Sequence, residues 1–273
     1  MVFSDIKVYI RGAGEMASAI AVRLAKTGLK VLLSEVQYPL AVRRAVSFCT
    51  AVYTSEHSIE GIKGVLCGDL DEFNTIFIAK KTVGVLVDPD FSQGRIFDPH
   101  FVIDATLSKT NSVGTTIDMA PCVIALGPGY CAGKDCNFVV ETNRGHKLGL
   151  LITEGFSAPN TGIPGVINGY SSERVLRAPV AGCVTIVKGI GEIVEVDEVV
   201  MKVDDYEVKS VIAGVVRGAI RSSTVVKKNE KIGDVDPRAD AVHFFHLISD
   251  KARNISGSVL EIIFGQVHDM PTH

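Results

Sequence analysis

Gly12, Ala13, Gly14, Glu15, Met16 and Ala17 form the pattern GxGxxA directly after a short run of alternating residues, Ile6 to Ile10. That spacing suits the holding of a phosphate. Gly12 permits a tight turn, Gly14 lets backbone approach an anion, and the small Ala17 lets the next helix press on the strand. The amides that open the helix, from Glu15 and Met16 onward, would then point at the anion. Glu35, 23 residues after Gly12, closes the next apolar run and stands where a carboxylate meets the ribose hydroxyls of a dinucleotide. Glu15 is discordant, since its carboxylate would repel a phosphate beside it unless it turns away or is engaged elsewhere. The plainer reading of the same residues is a compact strand-to-helix turn with no ligand.

Other residues could serve the same ligand. Arg43 and the adjacent Arg44 cannot face the same way on a helix, so one could clamp a phosphate or carboxylate while the other is solvated. Asp104 and Thr106 close a further strand, followed by Ser108, Lys109, Thr110 and Asn111, which read equally as a helix-capping cluster. Gly127 and Gly129 open a glycine-rich loop that carries Cys131 and Cys136. Beyond it, Arg144 and His146 place a fixed cation and a titratable imidazole near Glu141. Cys131, Cys136, Arg144 and His146 are therefore the candidates for chemistry. A zinc site lacks the paired spacings such sites show, and no metal is expected. A nucleophilic thiol would need a nearby base. Cys49, Cys67 and Cys122 read as buried structural residues.

The elements that must position these groups alternate. Strands are predicted at Ile6–Ile10, Val31–Leu33, Ala51–Tyr53, Val83–Val87, Phe101–Ala105, Cys122–Leu126 and Phe138–Glu141. Helices are predicted at Met16–Leu24, Pro39–Val46 and Phe73–Lys80. The order implies an α/β fold, a Rossmann-like parallel sheet with its sites at the carboxyl ends of the strands.

Further on, a shift of 32 residues lays Ala181–Val184 on Ala213–Val216, Ile193 and Val194 on Val225 and Val226, and Val203 and Asp204 on Val235 and Asp236. Two copies suit a small all-β domain like the barrel-sandwich hybrid of biotinyl and lipoyl carriers, with APVAG at Ala178 to Gly182 as the opening strand and turn. Carriers hold a modifiable lysine at the hairpin tip, but here the tip reads Val203-Asp204-Asp205-Tyr206, which favours a docking or lid role. A last helix is predicted after Ser249, with Ile255, Val259, Ile262 and Ile263 as its apolar stripe. The division expected is 1–172 for the nucleotide-binding domain, 173–238 for the β domain and 239–273 for a C-terminal helical segment packing on the rest.

The totals narrow the classes. At 273 residues, 47% hydrophobic and 22% charged, the chain is long enough for two folded modules. Lys and Arg total 28 against 31 Asp and Glu, which leaves no basic footprint for nucleic acid or anionic lipid. With no signal-peptide core and no membrane-length apolar run, a cytoplasmic location with reduced cysteines is expected.

The motifs GAGEMASAIAVRL, PLAVRRAVSF with AVY, LGPGYCAG, ETNRGHKLG, NTGIPG, RAPVAG and GDVDPR with ISDKAR spread over nearly the full length. Together they resemble the YqeB-type family of selenium-dependent molybdenum hydroxylase maturation proteins. The glycine fingerprint is also similar to that of the xanthine dehydrogenase accessory proteins. The resemblance implies an accessory role toward the molybdenum cofactor or its selenium-bearing ligand in xanthine dehydrogenase-like hydroxylases. Its partners would be the hydroxylase apoprotein or cofactor-assembly proteins, and homo-oligomers stay open. Molybdopterin dinucleotide contains a pyrophosphate that the turn could hold, and Cys131 or Cys136 could carry selenium. Two other readings compete: an oxidoreductase using flavin or NAD, the latter favoured over NADP by Glu35, and a non-catalytic docking scaffold.

Overall fold

A computed structural model of the chain describes residues 5–77 and 81–267. They form two compact units. The first comprises Met1–Pro39, Val46–Asn160 and Ile248–His273, and the second Leu40–Ala45 and Thr161–Leu247, so the chain crosses between units four times.

The first unit opens with β1 (Lys7–Arg11), α1 (Glu15–Lys26) and β2 (Lys30–Glu35). It continues with α2 (Ala51–Thr54), β3 (Glu56–Ile59), β4 (Ile62–Leu66), α3 (Leu70–Ile76), β5 (Thr82–Val87), α4 (Ser92–Phe97), β6 (Phe101–Asp104) and β7 (Cys122–Leu126). Next come β8 (Cys131–Ala132), β9 (Phe138–Val140), β10 (Leu151–Ile152) and β11 (Gly155–Phe156). One sheet of nine strands runs β10-β9-β7-β6-β1-β2-β5-β4-β3. Only the end pairs, β9 with β10 and β3 with β4, are antiparallel. The six parallel strands from β5 to β9 take the order 3-2-1-4-5-6 of their appearance, so the winding reverses between β1 and β6, the position at which sheets of this order bind their ligands. The central strands are apolar on both sides: β7 is buried throughout, and only Lys7 of β1 is not. Gly84 is needed on β5 because a Cβ there would meet the Phe73 ring at 2.3 Å.

The sequence expectations for the stretch after β2 need correction. Pro39–Val46 is not a helix: only Arg44–Val46 makes a 3-10 turn, and the arginine side chains are drawn onto carbonyls of the second unit. Ala51–Tyr53 is not a strand but part of α2, because the Cys49 amide bonds to the Ala13 carbonyl and Phe48 is buried as the chain coils. α3 starts earlier than the expected Phe73, since Asp69 accepts from the Glu72 amide at 2.8 Å and Glu72 reaches back to the Gly68 amide at 2.7 Å. That reciprocal cap fixes the helix start; Ile78, Ala79 and Lys80 lie outside the described residues. No helix follows Asp104 within residues 105–121.

The first unit is completed from the far end of the chain. α5 (Asp250–Val267) buries Ile255, Val259, Ile262 and Ile263, the expected stripe, and is capped by Ser249, whose Oγ accepts from the Ala252 amide at 3.3 Å. It packs along α1, where the Arg23 Nε donates to Ser256 Oγ at 2.8 Å. The β3–β4 hairpin turns on Glu60 and Gly61, both at positive φ, as a two-residue hairpin loop requires. That turn aims Glu60 at α5, where its carboxylate accepts from the Ile248 amide at 3.1 Å and from both terminal nitrogens of Arg253. Burial alone would raise the Glu60 carboxyl, but these bonds and the charges of Arg253 and Lys26 outweigh it and hold its pKa down. A depressed carboxylate contributes stability above its unfolded-state pKa of about 4.3, and loses it as pH falls through the lower folded value. Thermal melts from pH 6 to pH 3 are therefore expected to fall less steeply for Glu60→Gln than for the native chain. Parallel curves would show that the clamp adds nothing.

The second unit contains β12 (Val175–Arg177), β13 (Gly182–Ile186), β14 (Ile193–Val194), β15 (Val199–Val203), β16 (Tyr206–Lys209), β17 (Gly214–Ala219), β18 (Val225–Val226) and β19 (Lys231–Asp236). They form two four-stranded sheets, β12-β19-β17-β14 and β16-β15-β13-β18, neither closed into a barrel. The 32-residue shift converts one sheet order into the other: Gly182 pairs with Val226 and Gly214 with Val194. Each copy lends a strand to the other's sheet, so a shared core including Val184, Val203, Val216 and Val235 belongs to both. At the β15–β16 tip, Asp204 accepts from the Cys183 amide at 2.9 Å, which makes the residue part of the turn's own structure.

Candidate functional site

The GxGxxA turn sits at the reversal point of the sheet. Gly12 has φ +92°, and a Cβ there would meet the Ala105 carbonyl oxygen at 3.3 Å, so both its conformation and the approach of the β6 end require glycine. Gly14 differs. Its backbone is extended, it lends no side chain to cap α1, and a Cβ placed on it would have nothing within 4 Å. Ala17 is fully buried and Met16 nearly so. The Ala13 carbonyl is pinned by Ser18 Oγ at 3.1 Å and the Cys49 amide at 2.9 Å.

The two acidic residues go where the sequence alone does not place them. Glu35 accepts from the Ala13 amide at 3.1 Å and the Val36 amide at 2.9 Å, so its carboxylate takes up one amide of the turn. Burial pushes its carboxyl up, and the two amides oppose that. Glu15 turns toward the start of α5, where its carboxylate accepts from the Ser249 amide at 3.4 Å.

Loops from the neighbouring strand ends gather around the same edge. Asp104 is wholly buried: Oδ1 accepts from the Thr106 amide and hydroxyl at 3.1 and 2.7 Å, and Oδ2 accepts from Thr115 Oγ1. Arg11, 4% exposed, donates to Thr115 Oγ1 at 2.6 Å and the Val113 carbonyl at 2.8 Å and lies 3.9 Å from Asp104. Both Asp104 oxygens thus hold the 105–115 loop. Gly127 and Gly129 also serve packing. A Cβ on Gly127 would strike Ser157 Oγ at 2.0 Å, and one on Gly129 the Ser108 carbonyl oxygen at 2.5 Å. Thr142 Oγ1 donates to the Gly127 carbonyl at 2.7 Å and ties the next strand end to this loop.

Glu141 is buried and accepts from the Asn143 and Ala158 amides, both at 2.7 Å. Arg144 grips Asp250 at the start of α5 through two bonds of 2.9 and 3.2 Å. His146 is exposed, and among the described residues no three His, Cys, Asp or Glu side chains gather as a metal site would need. Arg43 is taken up within the second unit by the Arg217, Phe245 and Leu247 carbonyls. The thiols separate: burial pushes Cys136 up to about 12, with Asp135, Asp104 and Cys131 adding to the effect, whereas Cys131 is half-buried. Alkylation of the folded protein at pH 8, followed by peptide mapping, is expected to label Cys131 well before Cys136, because the thiolate is the reactive form. Equal labelling would contradict that placement.

No family model matches the chain. The protein YqeB of Escherichia coli strain K12, itself uncharacterized, is 42% identical over 261 residues, which are 96% of this chain and 48% of that protein. The chain is similar to YqeB along nearly its whole length. It spans about half the length of that relative, and the likeness supports the YqeB-type reading of the motifs. Among solved structures, an aspartoacylase family protein from Mesorhizobium loti is 13% identical with a TM-score of 0.24, covering 63% of this chain and 64% of that one. The ectoine utilization protein EutE (DoeB) from Ruegeria pomeroyi is 10% identical with a TM-score of 0.26, covering 84% and 85%. Scores this low carry no argument.

The YqeB-like motifs meet in space at residues that reading along the chain does not single out. At the start of ISDKAR the Ser249 amide donates to Glu15 of the glycine motif and Asp250 pairs with Arg144 of ETNRGHKLG, and the charges of Glu15, Glu141, Arg144 and Asp250 all act on Lys251. Arg11 and Thr115 were equally invisible. The one available signal was the capped start of α5, which places Lys251 on its first turn; nothing local told which loops that turn would face.

Proposed function

We propose that the chain binds a nucleotide-containing ligand, foremost molybdopterin dinucleotide, and acts in the maturation of selenium-dependent molybdenum hydroxylases of the xanthine dehydrogenase type. One observation carries the binding reading: the open face of Gly14, before the uncapped amides of α1, at the point where a Rossmann-type sheet reverses its winding. The maturation role draws on the motifs shared with the YqeB-type family. The second unit, read as a barrel-sandwich hybrid whose tip carries Asp204 in place of a carrier lysine, suits docking onto a hydroxylase apoprotein or a cofactor-assembly protein.

Calorimetric titration of the purified protein tests the ligand. Molybdopterin dinucleotide, ADP and NADH are each expected to bind, with the molybdopterin form tightest. Tighter binding of NADH together with its oxidation on adding a substrate would favour the oxidoreductase reading instead. Absence of binding by all three would overturn the site and leave a protein that works by docking.

A further inference from the structure

We propose that the hollow between α1, α5 and the β3–β4 turn binds a phosphate monoester whose organic part is small and apolar. The site stands apart from the glycine turn, because Arg23 lies about 13 Å along α1 from Gly14 at 1.5 Å of rise per residue. Its volume is about 300 Å³, the small end of the range for ligand pockets. Ala19 and Val22 of α1, with Ile248 and Leu260 opposite, give it apolar walls. Arg23, Lys26 and Arg253 are the cations on its lining, and Glu60 is the one carboxylate there. Both terminal nitrogens of Arg253 donate to Glu60, which also takes the Ile248 amide at 3.1 Å. Lys26 stands 3.9 Å from the same carboxylate, outside hydrogen-bond reach. Arg23 spends Nε on Ser256 Oγ and Nη2 on the Arg253 carbonyl, and among the described residues it joins no carboxylate.

Three cations against one carboxylate leave two positive charges on the lining, and the C-terminal end of α1 offsets only about half a charge. Arg23 and Lys26, three residues apart on one helix face, also repel each other. A dianion matches that surplus. Among the described residues Arg23 Nη1, Arg253 Nε and the Lys26 ammonium donate no hydrogen bond, so the donors still open come singly from three side chains. Single donors suit the spread oxygens of a tetrahedral phosphate, whereas a flat carboxylate is held best by an arginine fork. The Arg253 fork is already given to Glu60. The apolar walls then require the phosphate to carry an apolar group, since a bare phosphate would leave Val22, Ile248 and Leu260 facing water.

The test titrates the full chain with phenyl phosphate, inorganic phosphate and benzoate, and locates the bound probe by methyl NMR. Phenyl phosphate is expected to bind at least roughly tenfold more tightly than either of the others, shifting the methyl signals of Val22, Ile248 and Leu260. Its affinity should fall with added salt, since the cations on the rim are half-exposed. Lys26→Met changes a side chain that donates no hydrogen bond, so the fold is kept, and it should weaken binding roughly tenfold. Lys26→Arg should restore most of the affinity. Glu60→Gln should tighten binding roughly threefold by removing the carboxylate that competes with the ligand for Arg253 and Lys26, which a purely bracing role for the cluster would not do. No binding of phenyl phosphate, or equal binding of all three probes, would show that the hollow is no phosphate ester site. If Gly14→Asp abolishes binding while Lys26→Met keeps it within twofold, the phosphate sits at the glycine turn, and the proposal for the hollow falls while that for the turn stands.

Discussion

Gly14→Asp is expected to weaken nucleotide binding at least roughly a hundredfold, near 2.7 kcal/mol, while the melting temperature of the protein stays within about 2 °C of the native value. The first half follows from charge: a carboxylate would occupy the position from which backbone now faces the ligand, before amides that attract anions. The second follows from space and conformation. Gly14 has φ −72°, which any residue adopts, and its missing Cβ has no neighbour within 4 Å. Gly12→Ala provides the contrast. There φ is +92° and the Ala105 carbonyl oxygen lies 3.3 Å from the added carbon, so that variant should lose about 1–3 kcal/mol of stability. Thermal melts and titrations of both variants separate the two glycines. A Gly14→Asp protein that binds normally would remove the ligand from this turn.

Asp104→Ala should produce the largest loss of stability of any single change near the site, about 3–5 kcal/mol, because it leaves the Arg11 guanidinium buried without its counter-charge. Thr115 and Thr106 would lose their acceptor in the same step, releasing the loop that packs on Gly129. Denaturant unfolding measures the effect, with the midpoint moving and the slope unchanged if the fold is retained. Replacing Arg11 as well, by methionine, should recover part of the loss, since a buried pair is costly mainly when halved. A cost below about 1 kcal/mol for Asp104→Ala would show that the network is an ornament of the fold.

The strand-turn-helix-strand start was legible because each of its signals is local: alternation in β1, two glycines, the 3.6-residue period of α1, and Gly28 behind it. The 32-residue repeat was legible for a different reason. A duplicated sequence folding into exchanged strands must give the same pairings twice, and Gly182 with Val226 and Gly214 with Val194 do so. Ala51–Tyr53 misled because its β-branched and aromatic character describes a preference that the Cys49–Ala13 bond and the buried Phe48 override. The carbonyl partners of Arg43 were not legible, because a charged side chain before a hydrophobic run does not reveal which carbonyls will capture it. Glu35 was placed correctly at the end of β2, but its partner turned out to be the backbone of its own turn. The charged cluster around Lys251 was beyond reach, since it depends on how α5 comes back to α1 after an entire second unit has intervened.

That return has a consequence for synthesis. A ribosome delivers α1 before α5, with residues 161–247 emerging between them. Until α5 is out, the side of α1 that it covers is bare and Glu15 lacks the Ser249 amide. A chain cut short anywhere in the β unit would then display sticky hydrophobic surface that chaperones and proteases recognise. The cover over α1 is in this way tied to synthesis having passed α5.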